Sequence, residues 1–476
     1  MEFDLVCSRS WLQPFYQMIF TIGLMFGSIA ATILPDKFGR QRCLWYGVLG
    51  LLVSTILHVT VPDITVVFIS RFLLGIFCMI SMTSGFTLGM EIAPPSLRTT
   101  YGIFAALPYA LMMIVMSGVA YYVRHWKNIM LICSIPLFLQ TLFVNPLVMP
   151  ESPRWLIARG RLSEAEQVLR RAAKLNNSKH GLDTELQDLV KQSYEHQIRS
   201  SSDGESNVLK RLLSLVDSVA MRKLTVLLAA IWFTHSVLYI CVPLGSSDVR
   251  SPYLYMALLG VSEIPAYTLT APITSRFGRR TVLSISLVVI ASLMGLSALL
   301  VILRVNYEWV HLLLAVVPYT LICTCFQLNM MFTAELFPTS VRIMGTAVCT
   351  IFSNLGFNVP PLFTEFLPSD LPWLPTAIYS CLALVTSVLV LMLPETNKAP
   401  LLQTVSEYIM ARDLEKTSKC KRVGRSSNNL ANENPPIIVV VITENALKFN
   451  TNEYCNAGFD DQIIEAIDFT YVKDKI

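Results

Sequence analysis

The fold class this sequence predicts is an all-α membrane protein built from two pseudo-symmetric helical halves. Three observations predict it. The first is composition: of 476 residues, 53% are hydrophobic and only 15% charged. A soluble domain carries about 25% charged residues, and mean hydropathy here is +0.54. The second is that the apolar residues gather in runs of roughly 17 to 25, the length a helix needs to cross about 30 Å of hydrocarbon. The third is a duplicated set of motifs. Glu91-Ile92-Ala93-Pro94-Pro95-Ser96-Leu97-Arg98 returns 244 positions later as Glu335-Leu336-Phe337-Pro338-Thr339-Ser340-Val341-Arg342. Pro150-Glu151-Ser152-Pro153 returns at the same offset as Pro394-Glu395-Thr396-Asn397. Asp36-Lys37-Phe38-Gly39-Arg40 has a looser echo, offset by 239, in Ser275-Arg276-Phe277-Gly278-Arg279. Ordered echoes at nearly one spacing mark an internal repeat.

Eleven spans follow from the apolar runs: 13–34, 43–60, 65–90, 101–122, 128–149, 224–244, 251–273, 281–303, 310–333, 343–366 and 374–393. Backbone groups in lipid must bond within the segment, so each is read as a helix. The runs lack the alternation of a transmembrane strand. Five spans fall in residues 1–153 and six in 224–409. Short loops after odd-numbered spans hold Lys37, Arg40, Arg42, Arg98, Arg276, Arg279, Arg280 and Arg342, more than the even-numbered loops hold. The positive-inside rule then puts the N-terminus outside and the C-terminus in the cytoplasm. No basic stretch with a cleavable apolar segment opens the chain, so no signal peptide is expected.

Residues 154–223 form a linker. Ser163-Glu164-Ala165-Glu166 reads as a capping box opening a helix through Leu175. The apolar face of that helix suits the cytoplasmic ends of the bundle. Asp183 is expected to start a second helix, and Arg199-Ser200-Ser201-Ser202-Asp203 to be a mobile polar loop. Residues 410–476 form a tail, basic first and acidic last, expected to be disordered. The net charge of +4 is spread over loops and implies no nucleic-acid partner. The 11 cysteines show no metal-ligand spacing. No activated nucleophile, metal cluster or phosphate loop is present, so neither an enzyme nor a cofactor is expected.

The duplicated charges sit where spans end. Gly39 permits a tight turn, and Asp36 with Arg40 reads either as a plain positive-inside hairpin or as a latch between the halves. Glu91, Arg98, Glu151, Arg154, Arg279, Glu335, Arg342 and Glu395 are candidate gating charges that pair at the cytoplasmic face and part when the site opens. Isolated exposed pairs contribute only about 0–1 kcal/mol, which suits a latch that must open. Ser275 replaces the acid in the second copy, so that latch is expected to be weaker.

Phe3-Asp4-Leu5-Val6-Cys7 followed by Trp11-Leu12, the Asp36 motif, Pro150-Glu151-Ser152-Pro153-Arg154-Trp155, Trp232-Phe233-Thr234 and Glu335-Leu336-Phe337-Pro338-Thr339 together resemble the organic ion transporters. This is solute carrier family 22 of the major facilitator superfamily, comprising organic cation, organic anion and carnitine carriers. The resemblance runs from residue 2 to about 407. It implies alternating-access transport of a small organic ion at the plasma membrane. It also implies a twelve-span fold in which this chain begins near the end of the first extracellular loop, without the first span. A sugar-porter-like transporter and a non-transporting truncated isoform are the alternatives. Oligomeric state is not legible.

Ionisable groups within spans mark candidate sites, because charge in lipid is costly. Glu263, before Pro265, is the foremost. Trp232, His235 and Tyr239 share one helical face. Such a stripe is commonly packing, but it resembles the family's cavity helix, and aromatic faces hold cations. The resemblance adds Gln327 and Asn354, where relatives carry polar or charged residues, and the pair Met79 and Met82. Asn354 stands where cation carriers have Asp and anion or carnitine carriers Arg, implying a zwitterion or weakly cationic amine as substrate. Arg71 is read either as an interior charge or as a snorkelling one.

Overall fold

The computed structural model describes residues 11–94, 97, 101–102, 104–176, 185–202, 208–244, 251–305, 307–367, 370–397, 402–410 and 412. The chain divides after Arg412, and the unit from Asp413, with the expected disordered tail, lies outside the described residues. So do Arg98, Asp183 and the motif at residues 3–7.

Every regular element among the described residues is a helix. The first five spans are α1 (Leu12–Phe38), α2 (Arg40–Thr60), α3 (Ile64–Ile92), α4 (Leu107–Tyr122) and α5 (Trp126–Phe143). The linker supplies α6 (Pro153–Ala158), α7 (Leu162–Leu175), α8 (Glu185–Ser202) and α9 (Val208–Asp217). The remaining spans are α10 (Val219–Leu244), α11 (Pro252–Phe277), α12 (Arg279–Ile302), α13 (Glu308–Leu336), the pair α14 (Arg342–Gly356) and α15 (Val359–Phe366), and α16 (Leu374–Leu391). Eight of these are long and apolar enough to cross a membrane, and α4 is a shorter apolar helix.

Three boundaries depart from the sequence reading, each at proline. The span expected at 343–366 breaks at Phe357 and Asn358, because Pro360 and Pro361 favour the first turn of a new helix over the interior of an old one. The fifth stops at Phe143, ahead of Pro146, since residues before proline avoid the α region. The fourth span is helical at Tyr101, Gly102 and Phe104, turns at Ala105 and Ala106, and resumes as α4 at Leu107, with Pro108 in its first turn.

In the first half α3 packs between α1 and α2, and α5 lies on α2. In the second half α12 packs on α16 and α13, and α10 on α14, α13 and α16. The halves meet where α4 lies along α11 and where α1 meets α14 and α15. Thr21 of α1 hydrogen-bonds Asn358 at that second seam.

The linker corrects three expectations. Ser163 is not an N-cap; α7 starts one residue earlier, after Arg161, whose guanidinium pairs with Glu164 at 2.6–2.7 Å. The apolar face of α7 is not spread on the bundle. Ala165, Val168 and Leu169 pack with Trp155, Leu156 and Val190 into a small core of the linker's own. Arg199 to Ser202 continue α8 as helix, because a nucleated helix propagates at little cost.

Candidate functional site

Glu263 lies in α11 and is wholly buried. Three phenols from three helices converge on it. Tyr319 of α13 donates to Oε1 at 2.6 Å, Tyr239 of α10 to Oε1 at 3.1 Å, and Tyr267, one turn along α11, to Oε2 at 3.0 Å. The Cys323 thiol approaches Oε1 at 3.8 Å. Among the described residues no Lys, Arg or His forms an ion pair with it. Burying an ion costs several kcal/mol. Hydrogen bonds to a charged group return about 1.5–3 kcal/mol each. Three phenol hydroxyls thus meet one buried carboxyl group, and no cationic side chain pairs with it among the described residues.

The α10 face extends it. Tyr239 packs against the rings of Tyr319, Phe326 and Phe357 at centroid distances of 5.7, 5.6 and 6.4 Å. Tyr109 of α4 reaches Tyr239 from the other half. Trp232, two turns away, stands edge-on to Phe326 and donates from Nε1 to Thr333 at 2.9 Å. His235 is buried between them, with Nδ1 bonded to the Ile231 carbonyl at 2.8 Å and Nε2 without a partner. Of the α10 face, Tyr239 alone bonds Glu263; Trp232 joins it through Phe326 with its polar edge already occupied, and His235 bonds its own helix.

The other candidates do not join this group. Asn354 is buried in α14 with its Nδ2 unpartnered, and its carbonyl accepts from Asn358 at 2.8 Å. Gln327 is half-buried. Met79 packs against Gly27 of α1, and Met82 is 68% exposed. Arg71 is half-buried. Its guanidinium lies over the rings of Tyr16 and Phe20 of α1 at 4.5 and 4.8 Å.

The duplicated charges form two similar clusters, one in each half. Glu151 accepts from the backbone N–H of Gln41 at 2.9 Å, and Glu395 from those of Arg279 and Arg280 at 2.8 and 3.1 Å. Each carboxylate thus caps the helix that follows a positive-φ glycine, Gly39 at 107° and Gly278 at 85°. Arg40 pairs with Glu91 at 3.1 Å and Arg279 with Glu335 at 3.2 Å. Arg40 also pairs with Asp36 at 2.9 Å. The Asp36 carbonyl accepts from Trp155 Nε1 and Arg159 at 2.8 and 2.7 Å. Ser275, in the place of Asp36, turns back to the Pro272 carbonyl. The expected latch between halves is therefore not what these ion pairs make: each described one joins residues of a single half. A helix N-terminus next to its carboxylate is nearer than the other half. Arg154 is exposed, and Arg342 donates to the Phe337 carbonyl at 3.3 Å.

Sequence reading missed Tyr319, Tyr109, Cys323 and Thr333. Only Tyr267, at i+4 from Glu263, was within its reach.

A family described as sugar (and other) transporters matches residues 9–407. Solute carrier family 22 member 1 of Bos taurus is 30% identical over 425 residues, covering 88% of this chain and 71% of that protein. Member 3 of Rattus norvegicus is 30% identical over 434 residues, covering 90% and 75%. The inward-open xylose transporter XylE of E. coli superposes with a TM-score of 0.64 at 18% identity, over 82% of this chain and 87% of that one, a likeness of fold. A repeated helical bundle with duplicated charge clusters, matched along most of its length, places this chain in solute carrier family 22, as a multi-pass secondary transporter of the major facilitator fold.

Proposed function

We propose that this transporter carries a small organic cation or zwitterion across the plasma membrane, with Glu263 as the counter-charge for the substrate's cationic group. One observation supports this above the rest: a fully buried carboxylate receives three phenol hydroxyls and no cation among the described residues. The rings of Tyr239, Tyr319 and Phe326 flank it, and aromatic faces attract ammonium groups. Contributions from both sequence halves suit a site that is exposed alternately as the halves rock. Neutral Asn354 and Gln327 disfavour a strong dianion. The duplicated clusters at Glu91, Glu151, Glu335 and Glu395 act as hinge locks, holding each half rigid while the halves move. Positive-inside loops put the C-terminus in the cytoplasm.

The test is uptake of a radiolabelled quaternary ammonium by cells expressing the chain. Glu263→Gln keeps shape and removes charge. Uptake is expected to fall at least tenfold with surface expression unchanged. Unchanged uptake assigns Glu263 to structure. Asn354→Asp should raise, and Asn354→Arg lower, the ratio of cation to anion uptake.

A further inference from the structure

Arg71 is a half-buried charge on α3, and no acid among the described residues pairs with it. It lies on α3 two turns inside the Ile64 end. The rings of Tyr16 and Phe20 approach its guanidinium at 4.5 and 4.8 Å. Its one hydrogen bond runs from Nη2 to Gln17 Oε1, long at 3.4 Å. Its Nε is buried and has no partner. No carboxylate pairs with it among the described residues. Guanidinium carries five donors in a planar fork that matches a carboxylate, and here most of the fork is unused.

The surroundings hold that fork in place. Tyr16 is bonded through its hydroxyl to His58 Nε2 at 3.1 Å, and His58 Nδ1 to Ser70 at 2.8 Å, so the ring beneath Arg71 is fixed from three helices. Below Arg71, Gly75 brings α3 against the α1 backbone. Arg71, Gly75, Met79 and Met82 follow one stripe of α3. The duplication gives the level. Arg71 lies 20 residues before Glu91, and Tyr319, the closest donor to Glu263, lies 16 before Glu335. By the repeat, Arg71 and Tyr319 stand four residues apart in register, about one turn or roughly 6 Å of helix.

We infer that Arg71 is a recognition site for a single anionic group, and that the substrate is a zwitterion whose carboxylate meets Arg71 while its ammonium meets Glu263. The second part rests on the cation reading of Glu263 above. An anion reaching the site is either the substrate's carboxylate or a small inorganic anion, and the two are separable.

The experiment uses the full chain in lipid nanodiscs and two matched probes, 3-(trimethylammonio)propionate and its methyl ester, which lacks the negative charge. Dissociation constants are read by thermal-shift titration, in chloride and in gluconate. Wild type should bind the carboxylate probe at least about tenfold more tightly than the ester, the range of a charge-assisted hydrogen bond. Arg71→Gln should bring that ratio to about one with ester affinity within twofold, and Arg71→Lys should keep part of it, having charge without the fork. Chloride that raises the wild-type midpoint but not that of Arg71→Gln, with no carboxylate preference, would keep the anion site and assign it to an inorganic ion. If neither chloride nor carboxylate distinguishes wild type from Arg71→Gln and Arg71→Lys, the inference is wrong. Loss of ester binding in Glu263→Gln is read separately. Its absence overturns the cation reading and leaves the chloride arm to decide on Arg71.

Discussion

The two halves share one fold and pack in different ways. The second half has a continuous core running through α10 to α14 and α16, with Tyr319, Phe332 and Phe337 wholly buried. The first half has only small patches, around Val48 with Leu88 and around Ala31 with Ile80. α5 buries no residue and α4 only Ala110. Close backbone approach holds the first half instead. A Cβ on Gly75 would strike the Phe20 carbonyl, and one on Gly27 would lie 2.7 Å from the Ile76 carbonyl. In lipid, apolar surface gains little by leaving one apolar neighbour for another, so helices associate through fit and small residues. The second half achieves fit mainly by interdigitating side chains, with one close backbone approach of Gly356 to Phe233, and the first mainly by letting backbones touch. Deletion should therefore damage the second half most, and enlargement the first.

The largest effect is expected from Phe332→Ala. Truncating a wholly buried aromatic costs about 3–5 kcal/mol through lost contacts and a cavity. Phe143→Ala in the first half, where the ring is 71% exposed, should cost less than about 0.5 kcal/mol. Thermal unfolding midpoints of the two variants compare them directly. Equal shifts would erase the difference in packing.

Enlargement comes next. Gly75→Ala places a methyl among Phe20, Gly23 and Leu24 backbone atoms, none of which can swing aside. A cost near 3 kcal/mol is expected, at the upper end for overpacking. Gly295→Ala, in the second half, meets only the Ser380 hydroxyl at 3.2 Å and should cost less than about 1 kcal/mol. Yield of monodisperse protein and the unfolding midpoint report both.

The glycine turns rank below these. Gly39 and Gly278 hold positive φ and each presses on a capping carboxylate. Alanine there costs about 1–2 kcal/mol in backbone strain, plus displacement of the cap. The added Cβ would sit 2.8 Å from Glu395 at Gly278 and closer than that to Glu151 at Gly39. Gly39→Ala should therefore lower the midpoint further than Gly278→Ala, and the reverse order would show that the two caps are not equivalent.

Much of this was readable from sequence because each legible feature is local. Apolar runs gave the spans, proline the breaks in principle, and an acid inside a span singled out Glu263. Trp232, His235 and Tyr239 were legible as a face because helical spacing is fixed. The partners were not. Tyr319 lies 56 residues from Glu263, and Thr333 lies 101 from Trp232; nothing in local pattern joins them. The same limit misassigned the charged motifs. Repetition marked Glu151 and Glu395 as important, yet their choice of a helix N-terminus in their own half depends on how the bundle folds. Ser163 failed as a cap because Arg161 and Glu164 satisfy each other first.

The smallest effect tests the one place where the duplicated clusters differ in chemistry. Asp36 pairs with Arg40 at i,i+4 and is 74% exposed at its side chain, whereas Ser275 stands at i−4 from Arg279 and bonds its own helix. An exposed pair of this kind, here spanning the Gly39 turn between α1 and α2, contributes about 0.2–1 kcal/mol. Asp36→Ser should cost no more than that, because Arg40 keeps Glu91. Ser275→Asp should gain less, because Arg279 already holds Glu335 and Asn397, the latter at 2.6 Å. Both shifts should vanish at high salt, since exposed charges are screened within about 8–10 Å. The double variant, with the acid moved from the first cluster to the second, should then lie within about 1 kcal/mol of wild type in low salt. A shift that exceeds this, or survives high salt, would mean that the Asp36 side chain does more than pair with Arg40, since Asp36→Ser keeps the carbonyl that Trp155 and Arg159 hold, and that the two clusters differ in architecture as well as in one ion pair.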